Sequence, residues 1–329
     1  MYNEDGNVRA LHDALVPILD ELSVDCEILF VDDGSQDGSA EHVRRLHSVD
    51  PRVKLVSLSR NFGTQMAIVA GLEHASGNAV VVMDADLQHP PRLILELVQQ
   101  WKEGYDVVYA VREETEDAGW FKRLTSSAFA KLFNTLVDLK VDLNACDFRL
   151  MDRSVVDHVV AMRERNRFFR GLVTWVGFRQ VGVPYVAAAR HSGQTKYRFR
   201  KLLSLALDAI TAFSSAPLRL CTYFGFLSAL SVTPYAIWAI YVRLFTDRFV
   251  PGWSALIVAV LFLGGIQLIS VGILGEYVGR IYDEVKKRPL YITRELVGLK
   301  EDVTHRRRSV QTTENSVPSS EQLEASILS

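Results

Sequence analysis

Apolar positions along the first half of this chain switch between two periods. Val8, Leu11, Leu15, Ile18 and Leu22 recur at helical spacing and predict a helix with one apolar face. Residues 27–31 form a compact hydrophobic run, a predicted buried strand that stops at Asp32-Asp33-Gly34-Ser35. Further strands are predicted at 53–57, at 79–83 just before Asp84, at 106–110 ending near Arg112, and at 180–183, with a helix over 64–75. Strand alternating with helix predicts an α/β fold, Rossmann-like, with a mostly parallel sheet covered on both faces. Ligands of such sheets bind beyond the carboxyl ends of the strands. Asp32, Asp33, Asp84, Asp86 and Arg112 all fall there.

The pattern changes toward the C-terminus. The stretches 222–242 and 253–275 carry no charge and are each long enough to cross a hydrocarbon core. They predict two transmembrane helices, at 222–242 and 253–278, joined by a short connection that makes them a hairpin. Ahead of them, Lys201, Ser204, Asp208 and Thr211 share one helical face opposite Leu202, Leu205, Ile210 and Phe213. This predicts an amphipathic helix at 199–216, lying in the membrane interface or packed on the soluble domain. Residues 113–119 read as a mobile loop and 121–133 as a helix. Residues 279–303 read as a segment following the hairpin, and 304–329 as a disordered tail. Basic residues flank the hairpin at both ends, including Arg190, Lys196, Lys286 and Lys287, whereas Arg243 and Arg248 alone lie between the spans. The positive-inside rule then predicts a multi-pass protein of the cytoplasmic membrane with both termini cytoplasmic.

Composition narrows the classes. A net charge of −2 over 329 residues argues against a nucleic-acid partner, which selects a strong basic excess. Cys26, Cys146 and Cys221 form no C-x-x-C pair and are expected to be reduced thiols. No basic stretch followed by an apolar run opens the chain, so residues 1–198 are expected to form a cytoplasmic domain. Neither G-x-G-x-x-G nor G-x-x-x-x-G-K-[ST] occurs, so the phosphate-cradling loops of dinucleotide and P-loop sites are missing.

Asp84-Ala-Asp86-Leu-Gln88 is the strongest chemical signal. Two carboxylates beyond a buried strand can offer oxygen ligands to Mg²⁺ or Mn²⁺, which would neutralise the diphosphate of a nucleotide leaving group. Alone, D-x-D also fits a solvated turn, and Asp32-Asp33-Gly34-Ser35 also fits a turn that caps the next helix.

The motifs are more specific in series. Tyr2-Asn3-Glu4, Asp32-Asp33-Gly34-Ser35, Arg60-Asn61-Phe62-Gly63 and Asp84 to Pro91 resemble successive motifs of family 2, GT-A-fold glycosyltransferases. Asp147 to Asp152, Arg167-Phe-Phe-Arg-Gly171, Gly193 to Tyr197 and Leu274 to Tyr282 resemble those of the polyprenyl-phosphate hexosyltransferases. These are relatives of dolichol-phosphate-mannose synthase and include the bactoprenol glucosyltransferase type. The resemblance implies inverting transfer of a hexose from a nucleotide sugar to a polyprenyl phosphate, with UDP-glucose and undecaprenyl phosphate as first choices. Mannose, N-acetylglucosamine and aminoarabinose donors are the alternatives.

By the same resemblance, Tyr2, Glu4, Asp32 and Asp33 would hold the nucleoside with Asp84. Asp84, Asp86 and Gln88 would hold the metal and diphosphate. Arg112, Arg123, Ser127, Arg190 and Lys196 would take the acceptor phosphate, and Asp147 would stand on the acceptor side as a catalytic residue beside Asp86. A phosphate monoester has a second pKa of roughly 6, so its attacking oxygen needs little help from a base. Gly264, Gly265 and Gly272 would allow close helix packing and hence a homo-oligomer.

Family members begin with an apolar strand and a proline before Tyr-Asn-Glu, whereas this sequence starts at Met1-Tyr2. The expectation is an absent first strand, an unpaired sheet edge and a nucleoside pocket lacking part of its floor. Two other readings compete. A processive polysaccharide synthase is disfavoured because no Gln-x-x-Arg-Trp occurs, and an inactive membrane scaffold is disfavoured by the intact carboxylate set.

Overall fold

The computed structural model describes residues 1–112, 145–165, 167–185, 214, 216–245 and 252–299. The predicted loop at 113–119, the helix at 121–133, nearly all of the juxtamembrane helix and the tail lie outside them.

The first helix, α1 (Asp5–Leu22), buries Val8, Leu11, Leu15 and Ile18, the apolar stripe expected from their spacing. It is followed by β1 (Ile28–Asp32), α2 (Ser39–Val49), β2 (Val53–Leu58), α3 (Thr64–His74) and β3 (Ala79–Val82). Next come α4 (Leu93–Lys102) and β4 (Val107–Arg112). After the undescribed stretch the order is β5 (Ala145–Asp152), α5 (Arg153–Ala161), α6 (Phe169–Trp175) and β6 (Gln180–Tyr185). Two long helices, α7 (Ala216–Phe245) and α8 (Trp253–Val285), precede a last strand, β7 (Thr293–Val297).

The α/β class and the strand–helix alternation hold, and the sheets are mixed. One sheet runs β1-β2-β7, with β1 and β2 parallel and β7 antiparallel to β2. The other runs β3-β5-β4-β6, where β5 is antiparallel to both neighbours and β4 and β6 are parallel. The alternating pattern does not disclose β5 and β7, which carry charges in their middles. β1 and β3 are both edge strands. The end of β1 pairs with a single residue: the Met1 ammonium donates to the Val31 carbonyl at 2.8 Å, and the Asp33 amide donates to the Met1 carbonyl at 3.0 Å.

Both sheets share one core. Ile28 and Phe30 of β1 pack with Val108, Ala110, Phe148 and Leu150 and with the buried faces of α1 and α4. Full burial of side chains such as Phe148 and Leu150 contributes about 1.5–3 kcal/mol each. A second cluster, with Met151, Val155, Val159, Phe169 and Val173, fastens α5 and α6 to the back of β5.

Asp152 ends β5 and starts α5. It accepts hydrogen bonds from the Ser154 amide at 3.0 Å and hydroxyl at 2.7 Å, and from the Trp101 indole at 2.9 Å. Burial works to raise its pKa, but the Ser154 and Trp101 bonds outweigh it and hold the carboxyl below the ordinary range. A depressed folded pKa stabilises the fold above the unfolded value, about 3.9, and the benefit is lost as pH falls through the lower folded value. Asp152→Ala is therefore expected to cost about 1–2 kcal/mol at pH 7. In urea denaturation series, the gap to the wild type should narrow below about pH 4.

Candidate active site

Four segments meet at the carboxyl ends of β1 and β3. Asp32 and Asp33 close β1 and are almost fully buried, at 2% and 4% exposure. Asp32 accepts from the Ser35 amide at 3.0 Å and the Ser57 hydroxyl at 2.9 Å. Asp33 accepts from the amides of Phe62 at 2.7 Å and Gly63 at 2.9 Å, at the start of α3. Burial raises the Asp33 pKa, and those two amide bonds oppose the shift. Asp33 thus ties β1 to the 59–63 loop, and Asp32 ties it to β2 and to the turn that follows β1. Glu4 sits where α1 begins, its amide bonded to Ser39 Oγ at 2.9 Å, while Tyr2 is exposed.

Gly34 makes this junction close. Its φ is +71°, and a Cβ there would lie 2.4 Å from the Arg60 carbonyl carbon. Backbone against backbone cannot yield as a side chain can.

The second carboxylate group follows β3. Asp84 stands in the cleft with its side chain half exposed at the tip. Asp86 accepts the Gln88 amide at 3.1 Å, a tight turn in which Leu87 takes a left-handed φ of 59°. Strain of this kind at a non-glycine residue costs of order 1–3 kcal/mol and concentrates at functional sites. The Gln88 Nε2 atom is buried and has no hydrogen-bond partner among the described residues. Behind Asp84, His89 is buried against the rings of Phe148 and Tyr185, its Nδ1 4.0 Å from the Asp84 carboxylate.

Register decides what faces Asp84. β3 pairs antiparallel with β5 as far as Val82↔Arg149. Continuing that register two residues places Asp84 opposite Asp147. The packed surroundings raise the Asp84 pKa, His89 opposes the shift, and the nearby charges of Asp86 and Asp147 add to it. Asp147 is itself paired: Arg170 Nε donates to its Oδ1 at 2.8 Å, and Arg149 stands 4.0 Å from the same oxygen. Arg149 is buried against the Phe169 ring and donates to the Cys146 carbonyl at 2.9 Å. Burial pushes its pKa down to about 10, so it stays charged at neutral pH.

Among the described residues no three or more His, Cys, Asp or Glu side chains converge as a metal cage. The donor set is Asp84 and Asp86, two carboxylates with room beside them. That fits Mg²⁺ or Mn²⁺, which take one or two protein carboxylates and complete their shell with water and substrate phosphates.

The structure therefore brings together Asp32, Asp33, Asp84, Asp86 and Asp147, with Glu4 and Gln88 at the margin. Arg112 ends β4 exposed, opposite Tyr185. Arg123, Ser127, Arg190 and Lys196 lie outside the described residues. Sequence reasoning left His89, Arg149 and Arg170 without roles, although all three lie inside motifs that it quoted. Free thiols are observed for all three cysteines, as expected.

Comparison with known proteins decides the family. The glycosyl transferase family 2 model matches residues 1–160, and a GtrB C-terminal hairpin model matches residues 216–281. An uncharacterized glycosyltransferase of Bacillus subtilis, YkcC, is 47% identical over 299 residues, covering 91% of this chain and 93% of its own. The chain belongs to glycosyl transferase family 2. A Synechocystis glycosyltransferase, also described as uncharacterized, is 45% identical over 91% of this chain and 94% of its own. A prophage bactoprenol glucosyl transferase homolog of Escherichia coli is 41% identical over 89% of this chain and 95% of its own. The chain is thus a glycosyltransferase with the GT-A catalytic fold, and the clustered carboxylates are its candidate donor site.

Gly34→Ala is expected to cost roughly 2–4 kcal/mol, from the left-handed backbone together with the clash at Arg60. A drop in thermal midpoint with loss of nucleotide binding by calorimetry would bear this out. A variant of unchanged stability would show that the junction is looser than the geometry implies.

Proposed function

We propose that this enzyme transfers glucose from UDP-glucose to polyprenyl phosphate at the cytoplasmic face of a membrane, with inversion at the anomeric carbon. The observation that carries the reading is a donor-type carboxylate pair, Asp84 and Asp86, facing an arginine-paired Asp147 in a domain continuous with a long apolar helical hairpin. Relatives named bactoprenol glucosyl transferase, similar along most of their length, point to the same sugar and acceptor.

Two features support a membrane hairpin. Tyr223, Phe226, Leu227 and Leu244 on α7 and Phe262, Leu268, Ile269 and Val271 on α8 are each more than half exposed, a density of bare apolar surface that lipid would cover. Within the described residues Phe262–Val285 has the length and hydropathy of a membrane span, and α7 at 30 residues is about 45 Å long. The second feature is β7. The chain leaves the catalytic domain before α7 and rejoins its sheet after α8, which suits an even number of crossings with both ends on the catalytic side.

In this reading Tyr2, Glu4, Asp32 and Asp33 hold the nucleoside, and Asp84 and Asp86, with Gln88, hold a divalent cation. Bound there, the cation would supply positive charge to the diphosphate leaving group. Arg112, Arg123, Ser127, Arg190 and Lys196 gather the acceptor phosphate. One of its oxygens attacks the anomeric carbon, the bond to the UDP oxygen breaks, and the sugar leaves inverted. Asp147 positions the acceptor: the phosphate is largely ionised near neutral pH and brings its own nucleophilic oxygen.

Purified full-length protein incubated with radiolabelled nucleotide sugars and undecaprenyl phosphate tests this directly. Glucose should enter the lipid fraction, EDTA should stop transfer, and Mn²⁺ or Mg²⁺ should restore it. Asp86→Ala should lower turnover roughly a hundredfold to a thousandfold. No lipid-linked label from any donor would sink the proposal. In Asp147→Asn, kcat should fall by about tenfold to a hundredfold while the acid limb of the pH–rate profile stays, because that limb belongs to the acceptor phosphate. Disappearance of the limb would instead make Asp147 the base.

A further inference from the structure

Beside Asp147 there is more positive charge than Asp147 needs. Arg170 and Arg149 converge on the same carboxylate oxygen, at 2.8 and 4.0 Å. Two guanidiniums against one carboxylate leave one positive charge over, in a cleft that otherwise holds Asp84 and Asp86. The two arginines are not equivalent. Arg149 is 3% exposed and is spent on structure, with one bond to the Cys146 carbonyl and its face on Phe169. Arg170 is 31% exposed, and its hydrogen bond to Asp147 uses Nε alone. Among the described residues its two terminal nitrogens carry no hydrogen bond.

A guanidinium that gives its Nε side to one anion still presents its Nη1–Nη2 edge, and that edge matches two oxygens of a phosphate. The Arg170 head also lies within Coulombic reach of Asp84, near the donor carboxylates. Its backbone is firmly set. Arg170 sits in the first turn of α6, whose Phe169 amide is capped by Gln65 Oε1 at 2.8 Å. Phe169, Leu172 and Val173 on the same helix are buried.

We infer that Arg170 is a ligand of the acceptor phosphate, bridging it to Asp147, with Arg149 as the buried charge that balances Asp147. A phosphate dianion could not settle beside Asp147 and Asp84 without such a cation, since like charges a few ångströms apart repel by several kcal/mol at the effective dielectric of a partly buried site. Arg170 thereby joins the expected basic residues as the one fixed to a described helix. This rests on the reading of a lipid phosphate as acceptor.

Two experiments separate the inference from that reading. In the full-length enzyme, Arg170→Lys keeps the charge and loses the fork. It should raise KM for undecaprenyl phosphate roughly tenfold to a hundredfold, while KM for UDP-glucose moves by no more than about twofold. An unchanged acceptor KM, or both KM values rising together, would overturn the inference and leave Arg170 as a prop for Asp147. The second uses wild-type protein and no turnover: phenylglyoxal labelling of arginines, read by peptide mass spectrometry. Citronellyl phosphate should shield Arg170, and citronellol, or UDP with Mn²⁺, should not. Equal labelling with and without the phosphate, or shielding by the alcohol or by UDP, overturns the inference. Shielding by citronellyl phosphate in a protein that transfers nothing to undecaprenyl phosphate would instead retain the phosphate site and reject the lipid acceptor.

Discussion

The antiparallel register between β3 and β5 is the constraint on which the rest of the site depends. The pairing runs as far as Val82↔Arg149 and, continued two residues past the end of β3, sets Asp84 across from Asp147 within β5. Two carboxylates so placed would repel, and neither can retreat, because the residues behind them are core. Phe148 and Leu150 fill one buried face of β5 and Met151 the other, so slipping β5 by one residue would exchange its two packed faces. The repulsion is met by Arg170 and Arg149 on the Asp147 side, and His89 stands behind Asp84. A divalent ion at Asp84 and Asp86 would complete the compensation. The acidic cleft is thus held in place by packing, and a cation bound in it would meet its unmet negative charge and offer positive charge to a diphosphate.

The other sheet solves a different problem. β7 pairs with β2 from Leu55↔Val297 to Leu58↔Thr293, and Arg44 grips Glu295 through two bonds of 3.0 and 2.8 Å. Exposed ion pairs of this kind contribute little alone, so the strand pairing and the burial of Leu296 and Tyr291 against Val56 and Leu58 carry the attachment. Tyr291 also donates to Glu73 on α3, and Glu284 at the end of α8 accepts the Arg165 amide at 2.7 Å. The chain after the hairpin is therefore built into the catalytic domain. Short attachments of this sort fix how far the cleft stands from the end of α8, and a lipid-phosphate acceptor can be reached only over a narrow range of such distances.

Much of this was legible in the sequence, for a physical reason. α1, β1, β2, α3 and β4 have apolar positions at clean helical or strand spacing, and each lies within a residue or two of its predicted place. β5 was hidden because Asp147 and Arg149 sit within it and their burial is paid by each other, by Arg170 and by Phe169 rather than by an apolar pattern. β7 was hidden because Arg294 and Glu295 occupy a strand of five residues. The carboxylates could be picked out since strand ends announce themselves. The roles of His89 and Arg170 could not, because each depends on a partner from a distant segment: Asp84 and Phe148 for the one, Asp147 for the other.

Charge, more than proton transfer, is what the acceptor side is built to handle. An acceptor hydroxyl would need a base free to take its proton, and a carboxylate clasped at 2.8 Å by one arginine with a second behind it is poorly placed for that. A phosphate monoester presents the opposite requirement. It arrives with its nucleophilic oxygen already charged, and the difficulty lies in bringing a dianion next to a diphosphate and several aspartates. Electrostatic compensation, fixed in advance on a rigid helix and a buried strand, answers that difficulty without reorganisation during the reaction. The arginine-clasped aspartate is thus better matched to a phosphate acceptor than to an alcohol, on the geometry of Asp147, Arg149 and Arg170 alone.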